Sequence, residues 1–119
     1  MKNRPFEAMV RYQPGLAIFD LHGEINAFAE SALNAALSEI ETQHPTVIVL
    51  NFNDVSYINS TGIALIVSIL AQARKSHRRV VVYGLSEHYE EIFKITRLSD
   101  FMAIHSDEVS ALAEAGHSG

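Results

Sequence analysis

The chain of 119 residues contains no cysteine, which excludes disulfide bonds and thiol chemistry. No apolar run approaches the roughly 20 residues that a membrane-spanning helix requires. The first ten residues, MKNRPFEAMV, lack the apolar segment of a secretory signal peptide. Together these absences predict a cytoplasmic protein that has no membrane segment.

Positive charge is also scarce. Nine Lys and Arg residues stand against fourteen Asp and Glu residues, for a formal net charge of −5. Binding to nucleic-acid phosphates needs clustered cations, and the nearest cluster, ARKSHRR over 73–79, is short and lies between two apolar segments. We interpret it as a solvated helix end, where the helix dipole favours cations. The sequence therefore predicts no nucleic-acid partner.

The signatures of common enzyme classes are missing as well. There is no GxSxG nucleophile elbow, no P-loop and no GxGxxG dinucleotide motif. No two histidines have the i, i+4 spacing of a helical metal site, so we expect neither a metal nor another cofactor. Ser60 would need an adjacent base to act as a nucleophile, and only His22 is expected near the same sheet edge. A serine hydrolase is therefore the weakest interpretation. The six histidines are His22, His44, His77, His88, His105 and His117.

The first half of the chain predicts two strands and a helix. EAMVRYQ (7–13) and LAIFDLHG (16–23) are strand-like and flank the turn signal Pro14-Gly15, so a hairpin is predicted over 7–22. From Ala27 the apolar period becomes helical, and Pro45 ends that helix. The predicted buried face of the helix consists of Ala29, Leu33, Ala36, Leu37 and Ile40.

Strands and helices alternate in the second half. Buried strands are predicted over 46–52 and 79–84 and a weak strand over 101–105, with a turn at FNDV, 52–55. Three helices are predicted: one over about 61–75, one that begins after an N-cap at Ser86, and one over 106–115. A frayed tail is predicted at about 116–119. The order β-β-α-β-α-β-α-β-α predicts an α/β fold: a mostly parallel central sheet with an N-terminal hairpin and about four helices.

A polar tetrad, Asn59-Ser60-Thr61-Gly62, precedes one of the most apolar segments. Asn and Ser are preferred N-cap residues, but one cap does not require three consecutive residues able to cap. Two interpretations stay open. Either the helix is sandwiched and largely buried, or it presents a partly exposed patch beside the tetrad that suits a protein partner. The expected core stripe is Ile63, Ile66, Val67 and Leu70, and the expected patch is Ala64, Leu65, Ser68 and Ile69.

Three segments together resemble one known family. They are LHGEINAFAESAL (21–33), LNFNDVSYINSTGIALIVS (50–68) and YGLSEHYEEIFKITRLSDFMAIHSDEVSAL (83–112). Each segment alone is degenerate, but their order and spacing are similar to those of STAS domains, specifically the stand-alone bacterial anti-sigma factor antagonists. The resemblance covers most of the chain and implies a single STAS domain over 1–119 with a STAS-type fold.

The resemblance implies a binding switch without enzymatic activity. In the family, a serine at the start of the second helix is phosphorylated by an anti-sigma factor that is a serine kinase, and a PP2C-type phosphatase reverses the modification. Only the unphosphorylated antagonist binds the kinase. Ser60 occupies the target position, and the adjacent Thr61 is the less favoured alternative. The expected partner contacts are Asn26, Asn59, Thr61, Gly62, Ala64, Leu65, Ser68 and Ile69.

Three positions depart from the family pattern. Asn59 and Asn26 stand where the family usually has Asp, which removes two negative charges from the expected partner face. Arg97 replaces a usual Gly at a helix end and would cost about 1 kcal/mol in a left-handed conformation. The alternative function is therefore a STAS scaffold subunit of a signalling assembly, or one that binds a small ligand such as a nucleotide, without a phosphorylation switch.

Overall fold

The computed structural model describes residues 5–116, in which nine main elements follow the predicted order. The strands are β1 (Glu7–Gln13), β2 (Leu16–Ile25), β3 (Val47–Ile58), β4 (Arg79–Tyr83) and β5 (Ala103–His105). The helices are α1 (Glu30–Glu39), α2 (Ser60–Lys75), α3 (Glu87–Ile95) and α4 (Glu108–Ala115). Short 3-10 turns cover Ala27–Ala29, Ile40–Thr42 and Leu98–Phe101. Of the predicted frayed tail only Gly116 is described, and it is exposed; 117–119 lie outside the described residues.

The strands form one sheet in the order β1-β2-β3-β4-β5. The first pair is antiparallel, and every other pair is parallel. A turn at Pro14-Gly15 joins β1 to β2, and Gly15 there has a positive φ of 78° that glycine adopts without strain. The predicted α/β fold with an N-terminal hairpin is confirmed.

Strand β3 is longer than predicted, and the turn expected at 52–55 is wrong. β4 pairs with β3 only from Val47 to Asn51, but β2 continues beside β3 until Ile25 meets Ile58. Two register shifts between β2 and β3 accommodate residues 52–55 without ending strand β3. The extension carries β3 directly to the start of α2.

The sheet buries a different core on each face. The larger core packs α1, α2 and α3 against side chains such as Phe19, Leu50 and Val82. On the opposite face α4 covers a smaller core through Ala111 and Ala115. All five residues of the predicted buried face around α1 are buried, which follows from their helical spacing.

Helix α2 is rotated relative to the predicted stripe. Val67 was expected in the core but is 44% exposed, whereas Ile69 was expected in the partly exposed patch and is only 2% exposed. The rotation follows from Gly62, which packs directly against β2 and defines the buried side of the helix. The placement of Ile69 in an exposed patch was therefore wrong. The residues that face the core are Gly62, Ile66, Ile69, Leu70 and Ala73.

Candidate partner-binding site at the start of helix α2

Asn59 is the N-cap of α2 and fixes the first turn. Its backbone is extended, and its side-chain Oδ1 accepts a hydrogen bond of 2.8 Å from the Gly62 N–H. Its own N–H donates to the Ile25 carbonyl at 3.2 Å. The cap thereby joins the helix to the ends of both β2 and β3. Ser60 is the first helical residue, one position earlier than predicted.

Gly62 allows α2 to approach β2 closely. A Cβ atom built at this position would lie 2.1 Å from the Ile25 carbonyl oxygen and 2.9 Å from the Ile58 side chain. No real Cβ contact is that short, so a side chain here would displace the helix from the sheet. Gly62 is buried and shapes the site rather than presenting a surface.

Ser60 and Thr61 are both exposed on this capped turn. Within residues 5–116 nothing hydrogen-bonds to the Ser60 hydroxyl. The side chain also lies at the N-terminus of a helix of 16 residues, where the backbone N–H groups and the helix dipole favour negative charge. The hydroxyl is thus accessible to a modifying enzyme.

A tyrosine from α3 holds the strand that leads into the site. The Tyr89 hydroxyl accepts a hydrogen bond of 2.8 Å from the Ile58 N–H and lies 3.3 Å from the Ile58 carbonyl oxygen. It hydrogen-bonds both backbone groups of the last β3 residue, in the part of β3 that pairs with β2 but extends beyond its pairing with β4. The helical spacing of Tyr89, Ile92 and Phe93 indicates only an apolar face of α3, because nothing local marks a contact 31 residues away.

Asn26 caps the turn that follows β2, as Asn59 caps the helix that follows β3. Its Oδ1 accepts a hydrogen bond of 3.0 Å from the Phe28 N–H and caps the 3-10 turn Ala27–Ala29. The turn projects Phe28 outward, and that ring is 91% exposed. Tyr57, near the end of β3, is 52% exposed. Neither aromatic residue was predicted as part of the site. Phe28 does not share the helical phase of the buried α1 face, and this mismatch is a signal that could have identified it.

The exposed side of α2 continues from the capped turn. Ala64 and Ser68 are exposed and Leu65 is half-buried, so three of the four predicted patch residues have accessible surface, in contrast to Ile69. We define the α2 N-terminal surface as Asn26, Phe28, Asn59, Ser60, Thr61, Ala64, Leu65 and Ser68.

The arrangement does not support catalysis by Ser60. His22 Nδ1 lies 3.0 Å from an Asp54 carboxylate oxygen, and His22 is three residues before the end of β2, about 10 Å along the strand. No base therefore contacts the Ser60 hydroxyl among the residues that the structure describes. In the same range no group of three or more His, Asp or Glu side chains could hold a metal ion.

A polar cluster on the opposite sheet face is occupied with structural bonds. Arg11 donates to both Asp20 carboxylate oxygens, at 2.6 and 2.9 Å, and contacts Glu108 of α4 at 3.0 Å. Asn51 donates to Asp20 at 2.8 Å. Partial burial opposes ionisation, but the hydrogen bonds from Arg11 and Asn51 keep the pKa of Asp20 below its ordinary value. Burial raises the pKa of the neighbouring Tyr83 hydroxyl. The cluster links β1 to β2 and connects α4 to β1.

Comparison with known proteins gives consistent matches. The sequence model of the STAS domain matches residues 7–111. An anti-sigma-B factor antagonist of Listeria monocytogenes is 31% identical over 86 residues, which cover 72% of this chain and 75% of that protein. One from Staphylococcus aureus is 28% identical over 83 residues, 70% of this chain and 77% of that protein.

Solved structures share the fold at lower identity. An anti-sigma factor antagonist from Mycobacterium paratuberculosis superposes with a TM-score of 0.79 at 17% identity, covering 94% of this chain and 95% of that one. The Bacillus cell fate determinant SpoIIAA in its phosphorylated form gives 0.69 at 21% identity, covering 92% and 97%. No helix within residues 5–116 is long and apolar enough to cross a bilayer.

Proposed function

Because the chain belongs to the STAS domain family, we propose that it is a binding module of the anti-sigma factor antagonist type, and not an enzyme, controlled by reversible phosphorylation of Ser60. Unphosphorylated, it binds a serine-kinase anti-sigma factor or a related regulator in the cytoplasm. Phosphorylation by that kinase ends the interaction, and a PP2C-type phosphatase restores it. Thr61 is the secondary candidate for the modification.

The accessible Ser60 hydroxyl at the first helical position carries this proposal. A phosphate adds about −1.5 to −2 charges. At an exposed helix N-terminus a negative charge is favourable by roughly 0.3 to 1 kcal/mol. The bonds that hold the turn run through Asn59, Gly62 and Ile25 and leave the Ser60 side chain out. Phosphorylation is therefore compatible with an intact fold.

The same charge acts differently across an interface. Phe28 and Ala64 offer exposed apolar contact area on the α2 N-terminal surface, and Ser60 is an exposed residue of the same surface. A phosphate inserted there would meet desolvation or like charge in the partner, which costs several kcal/mol. About 1.4 kcal/mol changes affinity tenfold, so a cost of this size would make the partner dissociate. The domain itself would stay folded.

Asn26 and Asn59 preserve the capping hydrogen bonds that aspartate would make, but they remove its negative charge. Asn59 caps α2 and Asn26 caps the 3-10 turn, and each does so through a side-chain oxygen that Asp would also supply. The surface consequently lacks two negative charges. We infer that the partner presents a less positive face than partners of relatives with aspartate at both positions.

Phosphorylation and binding can be tested together. The protein is incubated with a candidate serine-kinase anti-sigma factor and ATP, and the phosphate is located by mass spectrometry. We expect it on Ser60, with Ser60→Ala unmodified and Thr61→Ala still modified. Phosphate on another residue, with Ser60 unmodified, would contradict the proposal.

Affinity for the same kinase is then measured without ATP. Ser60→Ala is expected to bind like wild type and Ser60→Asp at least tenfold more weakly, with unchanged circular dichroism. Ser38→Asp is the matched control, because Ser38 is an exposed serine on α1 outside the α2 N-terminal surface. If Ser60→Asp and wild type bind equally, Ser60 is not the switch.

The second candidate is a scaffold or small-ligand subunit of a signalling assembly, without a phosphorylation switch. The observation that favours it is the neutral pair Asn26 and Asn59 in place of the family's usual aspartates. A stable large complex in size-exclusion chromatography would support the scaffold. Saturable amide shifts in a nucleotide titration would support a ligand site.

A further inference from the structure

Two adjoining cavities lie at the C-terminal end of α2, away from Ser60. The first, here the apolar groove, has a volume of about 240 Å³ and is lined by Val67, Leu70, Ala71, Arg74, Leu98 and Phe101. The second, here the arginine cavity, has a volume of about 400 Å³ and extends to Arg78, Arg79 and the start of β5. Leu70, Arg74 and Phe101 line both cavities, so they form the boundary between the two.

The apolar groove combines an exposed helix face with a short turn. Val67 and Phe101 are 44% and 52% exposed, and Leu70 and Leu98 form the buried floor. Five of its six lining residues are apolar. The turn Leu98–Phe101 that forms the outer wall begins after Arg97, which has a left-handed backbone conformation with a φ of 67°.

Arg74 is placed at the junction of the two cavities. Its guanidinium carbon lies 5.6 Å from the centre of the Phe101 ring. Apart from this ring contact, the Arg74 side chain forms no ion pair or hydrogen bond within residues 5–116. A planar guanidinium offers five N–H donors, which leaves this cation able to bind a carboxylate directly.

Two further guanidinium groups line the arginine cavity behind Arg74, and both are engaged. Arg78 donates to the Pro45 carbonyl and contacts Glu41 at 3.2 Å, and Arg79 lies 3.9 Å from Glu114. The two carboxylates of the cavity wall are engaged as well. Asp100 accepts from Arg97 at 2.7 Å, and Glu114 also contacts His105. Of the three guanidinium groups that line the arginine cavity, two are therefore paired with Glu41 and Glu114, and Arg74 supplies the positive charge that remains uncompensated at its edge.

From this juxtaposition we propose that the two cavities together bind an amphipathic anion, namely a medium-chain acyl carboxylate. The acyl tail lies in the apolar groove between α2 and the turn Leu98–Phe101, and the carboxylate is bound by Arg74 at the edge of the arginine cavity. Each methylene group removed from water strengthens binding about fourfold. The carboxylate adds a charge-assisted hydrogen bond to a guanidinium.

The proposed site is independent of the phosphorylation proposal. Arg74 is fourteen residues after Ser60 on the same helix, about 21 Å along its axis. None of the lining residues belongs to the α2 N-terminal surface.

The test is a titration of the full chain with decanoate below its micelle concentration, followed by amide chemical shifts. Saturable shifts are expected for residues 67–74 and 98–101, and not for 59–62. Decanol, which has the tail without the charge, should bind at least tenfold more weakly. Acetate, which has the charge without the tail, should cause no saturable shift at the same concentrations.

Two variants and a matched control locate the ligand. Arg74→Gln removes the cation and should weaken decanoate binding about tenfold, because hydrogen bonds to charged groups are the strong ones. Lys75→Gln removes a neighbouring exposed charge that lines neither cavity, and should change binding less than twofold. Ala71→Trp fills the groove from an exposed position and should abolish binding while the fold persists.

Each of the following results would overturn the proposal. Decanoate could cause no saturable shift, decanol could bind as tightly as decanoate, or Lys75→Gln could weaken binding as much as Arg74→Gln. A nucleotide that shifts the same residues more strongly than decanoate would also overturn it, since the site would then recognise a different class of anion.

Discussion

The two ends of helix α2 are constructed differently. At the N-terminus each decisive hydrogen bond has a backbone group as a partner: the Ile25 carbonyl, the Gly62 N–H and both polar groups of Ile58, the last two sites being bound by the Asn59 and Tyr89 side chains. At the C-terminus the surface is made by long side chains, with Arg74 over Phe101 and Arg78 reaching Glu41. The first end has one geometry, whereas the second can adjust by changing rotamers.

This difference matches the two proposed uses. A covalent phosphate needs an accessible hydroxyl on a turn that does not change shape when charge is added. A non-covalent apolar ligand needs side chains that can move to enclose it. We therefore expect substitutions at the N-terminal end to affect stability strongly, and substitutions of equal size at the C-terminal end to affect it weakly.

The largest effect is expected for Gly62→Ala. The added carbon would lie 2.1 Å from the Ile25 carbonyl oxygen, so α2 must move away from the sheet at a cost of at least about 2 kcal/mol. The midpoint of urea unfolding measures the loss. Ala71→Leu adds three carbons at the exposed C-terminal groove and should change stability by no more than about 0.5 kcal/mol. Equal effects at the two positions would refute the contrast between the ends.

Removal of the Tyr89 hydroxyl should have the next largest effect. Tyr89→Phe leaves both Ile58 backbone groups without their partner, which costs about 1 to 2 kcal/mol. Hydrogen exchange should accelerate at the Ile58 amide more than at Val49, in the middle of β3. Tyr57→Phe, on an exposed ring, is the control and should leave both rates unchanged.

Asn59 variants separate the cap from its charge. Asn59→Ala loses the hydrogen bond to the Gly62 N–H and should cost about 1 kcal/mol, whereas Asn59→Asp retains an acceptor and should differ from wild type by only a few tenths of a kcal/mol. Thermal unfolding of the three proteins measures this order. An aspartate variant as unstable as the alanine variant would show that the cap does not act through its acceptor oxygen.

The smallest expected effect is a gain at the C-terminal end. Arg97 has a φ of 67°, and Arg97→Gly relieves the left-handed strain of roughly 1 kcal/mol. The substitution also removes the exposed ion pair with Asp100 and raises the conformational entropy of the unfolded chain, and both effects reduce the gain. A net stabilisation of about 0.5 kcal/mol is therefore expected. Arg97→Ala keeps the strain and loses the pair, and should be less stable than wild type. Chemical denaturation of both variants tests the sign.

Local signals in the sequence predicted much of this fold. Ser86 was predicted as a helix cap and accepts from the Tyr89 N–H at 3.3 Å. The β-branched segment 46–52 was predicted as a buried strand, and Val47 to Leu50 are all buried. These features depend on residues close in sequence, where capping chemistry and periodicity suffice.

Features that depend on distant residues were not predictable. The polar segment 52–55 continues as a strand because β2 is there to pair with it. The exposure of Val67 and burial of Ile69 depend on the rotation of α2, which the contact between Gly62 and Ile25 sets. At the site, Asn59 and Ser60 were identified from the tetrad, but Tyr89 and Phe28 act through tertiary contact or exposure, which sequence spacing does not encode.

The carbonyl of Ile25 beneath Gly62 also determines which mutations the tetrad can accumulate. We expect substitutions at position 62 to destabilise the fold whatever the partner requires. We expect changes at the exposed positions 60 and 61 to leave the scaffold folded, and position 59 to accept other residues that can cap a helix. Adaptation to a new regulatory partner is therefore confined to three of the four positions, and a duplicated copy of this gene could diverge in signalling specificity while it kept an identical helix-to-sheet junction.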